Sequence, residues 1–325
     1  MKTRTFNDLL SLLQSFDTRQ FRLLKKVINE IDSHKEVANL LELAEKELSC
    51  PHCQSLIYVR WGKQNDLQRY KCRSCSRTFN VLSKTPLARL RRKGHWIDYS
   101  ECMKNGLSIR ESARICNISN STSFHWRHRF LKGATYVKAA QLNGIVESDE
   151  TYFLKSNKGD RNLSRPSRKR GGTAQKRGLS KEQICVLVCR DRNKNTFDAI
   201  FETFNSQTLK DDLLPILASD CLFCSDSKNV YTKFTRENDL KHGKVNLSKG
   251  ERVKKNIIHT QNVNSYHSRL KNWIRRFNGV ATKYLDNYLA WFRELDEFSM
   301  EINPKTILLR AKIRIISEDQ LFIRT

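Results

Sequence analysis

The chain has 325 residues, 38% of them hydrophobic with 16 Phe and 5 Trp, which is enough to build the cores of two or three domains. Sixty Lys and Arg against 34 Asp and Glu leave a formal charge of +26. No apolar run approaches the ~20 residues that span a bilayer, and residues 1–10 lack the basic-then-apolar order of a secretory leader, so neither membrane insertion nor secretion is expected, and a cytoplasmic location is.

Residues 1–49 carry eight basic and eight acidic groups. Their apolar residues recur at helical spacing (Leu9, Leu10, Leu12, Leu13, Phe16, then Phe21, Leu24, Val27, Ile28, Ile31), which predicts two amphipathic helices over a segment 1–48. Residues 50–140 hold eighteen basic and four acidic groups, and residues 155–181 ten and one. An excess concentrated in this way predicts a polyanionic partner, nucleic acid before an anionic membrane.

Cys50-Pro51-His52-Cys53 is followed after eighteen residues by Cys72-Arg73-Ser74-Cys75. Two such knuckles at this separation place four thiolates around one tetrahedral ion, so a structural zinc ribbon is predicted over 49–85. Soft sulfur ligands in closed geometry select zinc, and the few apolar residues between the pairs could not hold a fold without it. Cys221 and Cys224 lie in a predicted strand, where residues three apart face opposite ways, and are read with Cys185 and Cys189 as buried thiols.

Helical patterns run on to about residue 132, broken near Asn105–Gly106 and Asn117–Ser119. Ser108 can cap one helix, and a second starts at about Asn120, so a helix-turn-helix is predicted within 95–135. Its Ser121, Thr122 and Ser123 are the candidates to meet base edges, and Arg127 and Arg129 to meet phosphates. After Gly144, strands are predicted at 145–153, 184–190, 196–203 and 221–225, with a helix from Gln207 to Leu217 and two more at about 263–277 and 284–298. A basic loop, 155–182, with Arg168, Lys169 and Arg170 as candidate phosphate contacts, separates the first two strands; the tail 301–325 has no clear pattern.

The first strand carries Asp149 and the fourth ends in Asp226. Three strands, a helix, a strand ending in an acid and a later helix opening Asn262-Val263-Asn264 match an RNase H-like fold over 143–300, in an α+β multidomain chain. Two acids meeting on adjacent strands offer hard oxygen ligands suited to Mg2+ or Mn2+. Glu150 should point away from Asp149, Asn262 could cap the helix, Asp220 precedes the fourth strand, and Glu147 shares the face of Asp149 as a rival ligand.

The knuckles with Arg69-Tyr70-Lys71-Cys72, Thr78-Phe79 and Thr85-Pro86-Leu87, then Trp126-Arg127-His128-Arg129-Phe130, Asp149-Glu150-Thr151-Tyr152-Phe153, and His259-Thr260 ahead of Asn264 and Lys271, occur in order over about 45–295. In these motifs the chain resembles the bacterial insertion-sequence transposases that join a zinc ribbon to a DDE-type catalytic domain. The resemblance implies cleavage and joining of double-stranded DNA at the inverted repeats of an element and at a target, by a homo-oligomer on the nucleoid, with two Mg2+ or Mn2+ ions and one structural Zn2+. It makes Asp149 and Asp226 the first two catalytic acids and puts Asn264 where many members have Glu, with Lys271 seven residues on as in a D-D-N-K branch. Lys271 lies two turns past Asn264, within ~20° of its face, where it could hold a phosphate.

Overall fold

The computed structural model describes residues 3–45, 47–135, 138–163, 166, 172, 174–175, 180–246, 250–251, 253–254, 257–298 and 302–313. The chain forms two units, one from its start to Phe130 joined by the segment from Asn303, the other from Leu131 to Ile302. No helix among the described residues is long and apolar enough to cross a membrane.

The first unit opens with α1 (Thr3–Gln14) and α2 (Thr18–Leu43). Asp17 starts α2 with a capping box: its carboxylate accepts the Gln20 N–H at 2.7 Å, and the Gln20 side chain accepts the Asp17 N–H at 2.9 Å. The second half of α2 buries Val37, Ala38 and Leu41, while its first half leaves Phe21, Leu23, Val27 and Ile28 exposed. A three-stranded antiparallel sheet follows, β1 (Tyr58–Gln64), β2 (Leu67–Cys72) and β3 (Thr78–Phe79) in that order. Asn65 and Asp66 turn β1 into β2 with φ of 49° and 65°, the left-handed pair that a tight hairpin requires. Among the described residues the hairpin's core is Cys50, Cys72 and Phe79, with Leu48, Tyr58, Tyr70 and Cys75 packed against them.

Next come α3 (Trp96–Lys104), α4 (Ile109–Ile115) and α5 (Asn120–Ala134). Ser108 caps α4 through the Glu111 N–H at 3.2 Å, Asn117 makes the turn with φ 49°, and the Ser119 hydroxyl accepts the Thr122 N–H at 3.0 Å to start α5. Trp96, Tyr99, Trp126 and Phe130 meet edge to face and fix α3 against α5.

In the second unit, β4 (Ile145–Leu154), β5 (Gln183–Asp191) and β6 (Thr196–Phe201) form an antiparallel meander. After α6 (Ser206–Leu213), β7 (Leu222–Asp226) returns parallel to β4; α7 (Asn229–Glu237) then leads to β8 (Lys241–Val245), parallel to β7. The mixed sheet thus has the order β6-β5-β4-β7-β8. Leu209, Leu213, Tyr231 and Phe234 of α6 and α7 pack with Val146, Leu187 and Phe223 of the sheet. Then α8 (Gln261–Arg275) lies on β4 and β5, and α9 (Leu285–Phe298) on α8 and β6. With cover on both faces, β5 is buried from Ile184 to Asp191 without alternation. A last helix, α10 (Pro304–Ala311), belongs to the first unit, where it packs on α3 and buries Ile307 and Leu308.

Two elements of the second unit escaped sequence analysis, as did α10 in the first. Helix α7 follows β7 after a two-residue break, and β8 reads Lys241-His242-Gly243-Lys244-Val245, too polar to signal a strand. Its burial is set by its neighbour: Gly243 packs so closely under Ile258 and Cys224 that a Cβ there would stand 2.8 Å from the Ile258 side chain. The predicted helix Gln207–Leu217 ends early as α6, and Leu214–Ile216 tightens to a 3-10 turn at Pro215.

Candidate active site and metal centre

Strands β4 and β7 are parallel neighbours in the register Ile145↔Leu222, Val146↔Phe223, Glu147↔Cys224. Two residues further along each strand stand Asp149 and Asp226, so strand periodicity brings the two acids to the same face at the same level. Both are largely covered, with side chains 22% and 19% exposed. Burial, with the repulsion of Asp226 added, pushes the Asp149 carboxyl up to about 6, against the opposing pull of Lys228 and Lys271. Burial likewise raises Asp226, although its carboxylate accepts the Lys228 N–H at 3.1 Å. Two acids that resist ionisation side by side are a donor set that a cation would satisfy.

Helix α8 completes the cluster. Asn264, His267 and Lys271 share one face at i, i+3 and i+7. His267 is buried, with Nδ1 3.7 Å from Asp149 Oδ2, and burial lowers its basicity to about 4. Lys271 is within electrostatic reach of Asp149, which counters the lowering of its pKa by burial. Asn264, one turn before His267, has an exposed carboxamide whose Nδ2 donates to Thr260 Oγ1 at 3.3 Å. Sequence analysis missed His267, although its spacing from Asn264 and Lys271 marks it as a residue of their face. It also missed Lys228, whose Nζ is 3.2 Å from Asp226 Oδ2 and bonds Glu150.

The rival acids are engaged elsewhere. Glu150 points to the other face of the sheet and accepts the Tyr231 hydroxyl at 2.7 Å. Glu147, fully buried, is the anchor of α8: it accepts the N–H groups of Asn262 and Val263 at 2.8 and 3.2 Å and the Asn262 carboxamide at 2.8 Å. Arg192 and His259 close on it at 3.1 and 3.3 Å. The alternative role of Asn262 as the cap of α8 is not realised, because this carboxylate from β4 receives the first N–H groups of the helix and faces its positive end. Beside this anchor is a cleft of about 370 Å³ with Arg190, Arg192, Lys194 and Arg269 in its walls, facing Asp191 and Asp296.

In the first unit, the sulfurs of Cys50, Cys53, Cys72 and Cys75 all lie within 4.8 Å of one another, an arrangement that could hold a metal ion. Cys75 N–H points at Cys72 Sγ from 3.5 Å, and this bond leads those that draw the Cys72 thiol down to about 6, toward the thiolate that binds metal. Cys185, Cys189, Cys221 and Cys224 are buried and free, as expected.

The second helix of the turn motif needs revision. Ser121 is exposed and Thr122 half-buried at the start of α5, both bonded to the Ser119 hydroxyl. Ser123 and Arg127 are corrected from DNA-facing to internal residues. Ser123 Oγ donates to Ile109 O at 2.8 Å, and Arg127, fully buried, donates to Leu107 O at 2.9 Å and Ser112 Oγ at 3.0 Å. Helical periodicity explains the error: positions 123 and 127 share the inward face with Trp126 and Phe130, while 121, 125, 129 and 132 look outward. Arg129 is exposed and donates to the Pro86 and Ala88 carbonyls. Arg168, Lys169 and Arg170 lie outside the described residues.

The family described as the ISXO2-like transposase domain matches residues 141–293. An uncharacterized protein in the transposable element ISH50 of Halobacterium salinarum is 28% identical over 280 residues, which cover 80% of this chain and 90% of that protein. The match contains Asp149, Asp226, Asn264 and Lys271, and the ISH50 alignment is too long to lie within the second unit alone. The chain is therefore similar to the ISXO2-like transposase domain over residues 141–293 and, over most of its length, to a protein carried by a transposable element.

Proposed function

We propose that this protein binds the terminal inverted repeats of its insertion sequence and catalyses metal-dependent cleavage and strand transfer of DNA. The observation that carries this reading is the β4–β7 register, which aligns Asp149 with Asp226 while α8 turns Lys271 toward Asp149. The strand order, an antiparallel meander continued by two parallel strands, supports assigning residues 143–300 to the RNase H-like class. Asp149, Asp226 and the neutral carbonyl oxygen of Asn264 would hold Mg2+ or Mn2+, and two such ions supply charge stabilisation for in-line phosphoryl transfer. The chain's own groups do the rest. Glu147 holds the start of α8 in place, so Lys271 acts on Asp149 from a fixed helix and Asn264 would meet the ions from the same face. Lys271 offers a cation to a phosphate, and Lys228 steadies Asp226 from the opposite side.

DNA binding belongs in this reading to the zinc-ribbon segment 49–85 and the helix-turn-helix segment 95–135. The exposed stripe Ser121, His125, Arg129 and Lys132 of α5 is the face presented to a duplex, with the short side chains first and the basic ones following. The basic cleft walled by Arg192, Lys194 and Arg269 suits a phosphate backbone passing the start of α8.

The test is to incubate the purified chain with a labelled DNA end of its element, a plasmid target and Mg2+. Joined products are expected. Cut ends without joining would reduce the protein to a nuclease, and bound DNA alone to a regulator. Asp149→Ala and Asp226→Ala should each lower cutting and joining by orders of magnitude while end binding survives. Full strand transfer by Asp226→Ala would show that the wrong acid has been chosen.

A further inference from the structure

Half of the large hydrophobic side chains exposed on the described chain fall in α1 and the first half of α2. On α2 they are Phe21, Leu23, Val27, Ile28 and Ile31, exposed by 42 to 63%, and α1 adds three leucines. At 3.6 residues per turn the α2 residues, with half-buried Leu24 among them, occupy one broad face. The face does not end at Ile31: Ala38 and Leu41 continue it, and there the first unit covers it completely. One apolar stripe is therefore buried by its own chain at one end and bare at the other. Taken at about half exposure, the bare end on α2 alone comes to ~500 Å², the size of the largest patch on a typical monomer and often a functional one, and the α1 leucines expose a further ~270 Å².

We propose that this face is covered by the same face of a second copy of the chain, with the two α2 helices antiparallel about a two-fold axis near Ile28. Charge selects the occupant. Residues 1–49 are the balanced part of a chain whose total is +26, so two copies can approach there without the repulsion that separates them elsewhere. Charge also selects the direction. Lys25 and Asp32 are both exposed and seven residues apart, on the same edge of the apolar face. A two-fold axis between them sets Lys25 of each copy opposite Asp32 of the other, and the pairing occurs twice, as an isologous contact demands. In a parallel pair the same edge of the two helices falls on opposite sides of the seam, so Lys25 would have no Asp32 to meet. The inference rests on the first unit alone, so it and the proposed chemistry stand or fall separately.

The test uses the full, zinc-loaded chain, freed of nucleic acid by nuclease treatment, and reads mass by light scattering and affinity by sedimentation. The parent should show twice its chain mass of 38.1 kDa. Val27→Glu with Ile31→Glu, both at exposed positions, should give a monomer with an unchanged circular-dichroism spectrum. Lys25→Glu alone and Asp32→Lys alone should each weaken self-association by roughly tenfold through two like-charge contacts. Mixing those two variants should restore association between them, because each heterodimer regains both opposite-charge pairs. A monomeric parent overturns the proposal, and a mixture no tighter than either variant overturns the antiparallel arrangement. If removal of residues 314–325 turns a monomeric parent into a dimer, the chain's own tail is the occupant and the proposal fails.

Discussion

Glu147 offers the sharpest test of how the sheet positions α8. The carboxylate is fully buried, and replacing it with Ala strands the Asn262 and Val263 N–H groups and leaves Arg192 without its acid. Loss of a helix cap costs about 1–2 kcal/mol, and loss of one partner from a buried charge network about 3–5 kcal/mol. The two costs overlap in the same atoms, so Glu147→Ala should destabilise the second unit by about 3–5 kcal/mol rather than by their sum. At ~2–4 °C per kcal/mol for a unit of this size, its melting temperature should fall by ~6–20 °C. Glu147→Gln keeps an acceptor for the N–H groups and should lose only about 1–2 kcal/mol. Thermal melts of the full chain followed by circular dichroism, paired with the cleavage assay, read both effects. A loss under ~1 kcal/mol for the Ala variant would refute the anchoring role. A Gln variant that melts like the parent yet cuts no DNA would make Glu147 a participant in the chemistry instead.

Asp149→Asn should stabilise the metal-free protein at neutral pH. The Asp149 carboxyl is raised from 3.8 to about 6, so the folded state holds its proton more tightly than the unfolded chain and the parent loses stability as pH climbs through that window. The Asn variant should exceed the parent by up to about 3 kcal/mol above pH ~6 and match it below pH ~4, in urea titrations at several pH values. Arg127→Ala should cost the first unit about 3 kcal/mol or more in the same titrations, since it empties a fully buried site whose Leu107 and Ser112 partners stay behind. Equal stability with weakened DNA binding would return Arg127 to the DNA surface. Cys72→Ser should reduce zinc from about one equivalent to near none by atomic absorption and loosen the β1–β3 hairpin; unchanged metal content defeats the ribbon assignment. Neutralising Arg168, Lys169 and Arg170 together should weaken binding to every DNA sequence and flatten its salt dependence, whereas loss at one sequence with the salt slope intact would mean base reading.

The features that were legible rest on short-range rules. Knuckle spacing brought the four cysteine sulfurs together, and the strand carrying Asp149 was placed to within one residue of its end. What could not be read depends on contacts distant in sequence. Glu147 was a plausible ligand until the fold set the start of α8 above it, 115 residues later in the chain. Arg127 looked like a surface cation because charge is the strongest cue at that position; only the packing of α3 and α4 around α5 reveals an interior site with two acceptors ready for it. Polar β8 is a strand by virtue of the exposed edge of β7, not of its own residues. Four of the five α2 residues that remain bare, Phe21, Val27, Ile28 and Ile31, were predicted as part of an amphipathic face, yet periodicity cannot say whether such a face meets its own chain or another.

The place of α10 has a bearing on synthesis. The first unit is assembled from two stretches of chain with the whole of the second unit between them, and Lys312 ties the later stretch back by donating to Leu41 O at 2.9 Å and pairing with Glu45 at 2.7 Å. On the ribosome, α3 emerges early but waits for Ile307 and Leu308 until nearly all the preceding residues have been translated. The module that carries the cysteine cluster is therefore the first begun and the last closed. A chain truncated by a premature stop within the second unit never completes it, so, on the function proposed above, a prematurely terminated product is poorly equipped to occupy the DNA that a full-length copy would need.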